Sequence, residues 1–131
     1  MRSPAVFIVA AVYLVAGLAF GALARVAASS EARVGWRWAA WVVSAVAFAA
    51  HIWYEQVRRR HTPAPTALHA SLAVALGAFG LAVAASLHGR AVQHPFPAWA
   101  LVVWPAAAAL PAFVVALAAA SLLAALHRAT G

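Results

Sequence analysis

His51, Glu55 and His69 are the residues whose types and spacing offer chemistry, and they bracket the stretch HIWYEQVRRRHTPAPTALH. His51 and Glu55 are four apart, which puts both on one face of a helix. His51 and His69 each lie nine residues from Arg60, in opposite directions. An antiparallel hairpin turning near Arg60 therefore carries the two imidazoles to similar depth. Three chemistries use such a set. A carboxylate beside imidazoles relays protons or a cation, because imidazole titrates near neutral pH and the carboxylate favours its charged form. Two His facing each other across a bundle core ligate haem b. His51, Glu55 and His69 together supply three ligands to a metal such as zinc. Against all three stands an account without function: Glu55 is within a turn of a loop, where it reaches water or pairs with Arg58 or Arg59. The remaining His61, His88, His94 and His127 fall in loops or at helix ends, where solvation explains them.

The helices that must hold these groups show matching stripes. At about 100° per residue, Arg37, Ser44, His51, Glu55 and Arg58 fall within about 60° of one another. On the next helix Thr62, Thr66, His69, Ala73, Gly77, Gly80 and Ala84 share an arc of about 80°. Polar groups in hydrocarbon are costly and turn toward protein. The expected cluster is thus His51, Glu55 and His69, with Ser44 and Thr66 beside it, formed where the two stripes face each other.

Composition sets the solvent. The chain has 131 residues, 67% apolar and 8% charged. Soluble domains carry roughly 25% charged residues, so the deficit points to lipid and excludes disorder. The net charge is +7, and all the cations are Arg. They stand at the ends of apolar runs and so read as headgroup anchors, not as a nucleic-acid surface. With no Cys there are no disulfides, thiolate sites or CxxCH haem attachment. The only acids are Glu31 and Glu55, on different loops, which excludes paired-carboxylate catalysis. No GxSxG, HExxH or phosphate-binding glycine loop occurs.

Four apolar runs follow, at approximately 4–25, 36–57, 65–88 and 98–127. Each reaches the ~20 residues that span a bilayer. The first resembles a signal peptide at Val26-Ala27-Ala28, but it is longer than the h-region of about 7–15 residues and reads as a retained helix. Trp36, Trp38 and Trp41 at one end of the second run, and Trp53 and Tyr54 at the other, mark headgroup levels. Pro63 and Pro65 punctuate the central loop. Pro105 and Pro111 predict a kink in the fourth run. Gly17 and Gly21 form a GxxxG spacing, and with Gly77 and Gly80 they predict close helix packing, within the bundle or between subunits.

The expected fold is all-α: one polytopic membrane domain over 1–131, a bundle of four transmembrane helices with short loops. The expected function is a non-enzymatic accessory subunit or small transporter, with no catalytic residues, metal or cofactor. The alternative is a membrane anchor binding haem b or quinone through His51 and His69. Expected partners are the bilayer and a homo-oligomer or larger membrane complex, without nucleic acid. Arg58, Arg59 and Arg60 tip the positive-inside balance toward both termini being cytoplasmic, in a bacterial inner membrane.

Overall fold

The computed structural model describes residues 4–91 and 97–130, and at Arg90, Ala91 and Thr130 the backbone alone. Arg2 and His94, weighed above for orientation and chemistry, lie outside the described residues. The described residues form four helices and no strand: α1 (Pro4–Val26), α2 (Ser30–Trp53), α3 (Pro63–Ala91) and α4 (Ala100–Thr130). A short π-helical segment, Tyr54–Arg58, continues α2.

The ends follow local chemistry. Pro63 opens α3, where a missing N–H costs nothing. The Ser29 side chain accepts the Ala32 N–H at 3.1 Å, and Glu31 sits in the first turn, where its charge suits the helix dipole. Helix α2 therefore starts at Ser30, not near 36, because the Ser29 cap nucleates the extra turns. Helix α4 runs through Pro105 and Pro111 to Thr130.

The packing is inverted relative to a soluble protein. Ala67, Ala70, Ala73, Ala116 and Ala120 are the completely covered apolar residues, while Ile8, Val15, Trp41, Val102, Leu110 and Leu122 point outward. Small residues inside let backbones approach closely, and large apolar ones outside suit lipid. By length and composition α1, α3 and α4 can each cross a membrane. Helix α2 falls short of them, because Glu31, Arg33, Arg37, His51 and its tryptophans dilute its apolar content.

Helix α2 lies mainly on α1, and α3 lies between α1 and α4. The two polar stripes thus do not meet along their length, contrary to the expected face-to-face hairpin. Gly77 and Gly80 face α1: a Cβ on Gly77 would stand 2.7 Å from Tyr13 Cβ, and one on Gly80 2.9 Å from a Leu14 methyl. Helix α1 takes the small half of the α3 stripe and leaves α2 only its polar end. There Ile52 packs with Ala67, Ala70, Ala116 and Ala120, so α2, α3 and α4 converge just where Glu55 follows.

Candidate functional site

Glu55 is the largest completely buried side chain, and it lies in the π-helical segment. Its Oε2 is 2.5 Å from His61 Nδ1 and 2.9 Å from His69 Nδ1. Both bonds form together when each imidazole carries its proton on Nδ1 and Glu55 is ionised. The two rings stand edge to face at 5.6 Å. Their side chains are 32% and 23% exposed, so the imidazoles reach outward from a carboxylate that does not. A buried carboxylate persists only when its charge is matched by donors, and here two converge on one oxygen.

The backbone explains the convergence. Within Tyr54–Arg58 the helix widens, and Arg59 N–H bonds the Tyr54 carbonyl, five residues back. Arg60 then takes a left-handed conformation, φ 53°, and His61 N–H closes on the Glu55 carbonyl at 3.1 Å. This resembles a helix-ending turn with αL geometry, widened by one residue. It folds His61 back onto Glu55. His61, expected in a solvated loop, instead bonds the buried Glu55. Six residues is not a helical spacing, so only the carboxylate–histidine chemistry itself could have pointed to the pair.

The other predicted residues lie as follows. His69 joins Glu55 from α3. Thr66 is fully buried beside them; its Oγ1 is 3.1 Å from Gln56 Oε1 and 3.2 Å from the Thr62 carbonyl, with one proton to donate between the two. Ser44 is half-buried, further up α2, and bonds none of the group. His51 is 3% exposed, yet neither ring nitrogen has a hydrogen-bond partner among the described residues. It lines a groove of about 410 Å³ between α1 and α2, with Ile8, Val12, Ala47, Tyr54 and Arg59. The Arg59 guanidinium lies 5.9 Å from the Tyr54 ring centre. Its pKa is raised by its contact with Tyr54 and, less, by Glu55, so it stays charged. Gly17 meets Leu81 of α3, whereas Gly21 faces only the Arg25 guanidinium.

Chemically, the arrangement sets two imidazole nitrogens against one carboxylate oxygen. Each of Glu55, His61 and His69 also offers one metal-ligating atom, all within 4.8 Å of one another. Ligand atoms of a tetrahedral zinc stand roughly 3.3 Å apart, given its bond lengths. The two nitrogen–oxygen contacts are shorter, so the group is closed on hydrogen bonds and would have to open for an ion. No family model, curated protein or solved structure matches this chain.

Proposed function

We propose that the chain is a small, non-enzymatic integral membrane protein, a transporter or accessory subunit, in which Glu55 passes protons between His61 and His69. The observation that carries this reading is the buried carboxylate bonded to two partly exposed imidazoles. His61 stands at the loop, Glu55 beneath it, and His69 and His51 further into the bundle. A proton entering at His61 thus passes by way of the buried Glu55 to the second imidazole, His69. In this reading α2 crosses as a fourth span and both termini lie in the cytoplasm, with Arg58–Arg60 on the inner face. Protein reconstituted in vesicles with an internal pH dye is expected to conduct protons, and Glu55→Gln to abolish that flux. Unchanged flux in Glu55→Gln removes the relay.

A second reading, the cofactor-binding anchor, is favoured by His51, whose unpartnered nitrogens are costly to bury, by about 1–3 kcal/mol. The groove beside it is apolar with Tyr54 and Arg59 at one end, which fits a quinone ring and carbonyl. Haem b on His51 and His69 fits less well. His69 does not line that groove, and Ile52, Ala67 and Ala70 fill the space between α2 and α3. A purified sample with a Soret band would reinstate haem; co-purified quinone, lost in His51→Leu, would support the anchor.

A further inference from the structure

At the opposite end of α2 from Glu55, a second groove of about 570 Å³ opens between α1 and α2. Three cations line it: Arg25 from the last turn of α1, and Arg33 and Arg37, one helical turn apart on α2. Among the described residues none of the three guanidiniums pairs with a carboxylate. Glu31, the acid nearest in sequence, bridges to none of them. Its walls are Phe20 and Trp41, with Gly17 and Gly21 between, and Phe20 is braced against Trp36 with ring centres 6.0 Å apart.

We infer that this groove binds an anionic phospholipid, its phosphate held by Arg25, Arg33 and Arg37 and an acyl chain lying along Gly17, Gly21 and Phe20. Three uncompensated like charges around one hollow repel each other, and an anion at their centre reverses the sign of that energy. Guanidinium is the side chain best matched to phosphate, which it binds through two parallel N–H donors. The second half of the argument is depth. Trp36, Trp38 and Trp41 belong at the headgroup level, so the cations stand where lipid phosphates lie. Residues 30–38 of α2 are exposed throughout, so no other helix covers the opening. Gly21 has a structural part: a side chain there would grow toward Arg25 Nη1, 3.7 Å from its Cβ position, and fill the cradle. A basic hollow between membrane helices is a recurrent way of holding a lipid headgroup. This inference is independent of the Glu55 centre.

The test uses full-length protein in neutral detergent, titrated with phosphatidylglycerol carrying brominated acyl chains and followed by tryptophan quenching. Phosphatidylglycerol is expected to bind roughly tenfold or more tighter than brominated phosphatidylcholine. The preference should vanish in Arg33→Gln/Arg37→Gln and persist in Arg58→Gln/Arg60→Gln, which removes equal charge elsewhere. Gly21→Leu, with every cation retained, should also lose it, which covers the case where the double Arg variant fails to fold. Equal loss in both Arg pairs would mean general attraction to a basic protein and overturn the site. Competition by millimolar inorganic phosphate alone would make it a free-anion site and overturn the lipid assignment.

Discussion

Glu55 is unusual at the residue scale because burial and ionisation oppose each other, and its two imidazole partners resolve the conflict. The glycines show how finely the helices around it are set. A Cβ on Gly77 would press on Tyr13 Cβ and stand 3.4 Å from the Ala10 carbonyl, neither of which can swing aside. A Cβ on Gly17 would press on Leu81 methyls, which can. Gly21 meets only a flexible guanidinium tip. Gly77→Ala is therefore expected to destabilise the protein by about 1–3 kcal/mol through overpacking, while Gly21→Ala stays close to wild type. Thermal unfolding in detergent checks the pair. Equal stabilisation of both variants would mean that helix propensity, which favours Ala over Gly by about 0.5–1 kcal/mol, and not the α1–α3 contact, decides at these positions.

At the scale of elements, the turn after α2 is decisive. A wide π-helical segment and a left-handed Arg60 bring His61 onto Glu55. An L-residue pays roughly 1–2 kcal/mol for left-handed backbone. Glycine does not, although it loses more entropy on folding, by about 0.5–1 kcal/mol. Arg60→Gly is thus expected to be neutral or to stabilise by up to about 1 kcal/mol. Arg60→Val, β-branched and averse to positive φ, is expected to destabilise and to free His61 from Glu55. NMR of the His61 ring, compared between the two variants, reads this directly. An unchanged His61 environment in Arg60→Val would show that the imidazole is held by Glu55 alone and not by the backbone. The same turn explains why a uniform helical wheel misplaces the residues around it: a π-helical stretch breaks the phase on which the wheel depends.

At the scale of the whole molecule, the question is how many helices cross. Helix α2 forms a hairpin with α1 over a three-residue connection, 27–29, but is less apolar than the other three. With α2 spanning, the 59–62 turn and the C-terminus share one face and Ser29 lies on the other. With α2 on the surface, Ser29 and Thr62 fall on the same side. The chain has no cysteine, so single substitutions Ser29→Cys, Thr62→Cys and Ala129→Cys give clean probes. A membrane-impermeant thiol reagent on oriented vesicles is expected to label 62 and 129 from one side and 29 from the other. Labelling of 29 and 62 together would remove the fourth span.

Local composition alone determined that the chain is helical and lipid-facing: long apolar runs between prolines and arginines leave few other structures. Helical spacing also put Glu55 in the same expected cluster as His69. The depth count from Arg60 instead paired His51 with His69, whereas in the structure it is Glu55 that bonds His69 while the His51 nitrogens have no partner among the described residues. Tertiary structure decided which helix fills which stripe. Gly77 and Gly80 suit any close neighbour, and nothing in their spacing prefers α1 to α2; the choice rests on shape, with Tyr13 and Leu14 fitting against them. It likewise decided that His61 belongs with Glu55 and that Ser44 does not. Those placements depend on one backbone residue at positive φ and on where three helices converge, and both are properties of the folded chain as a whole.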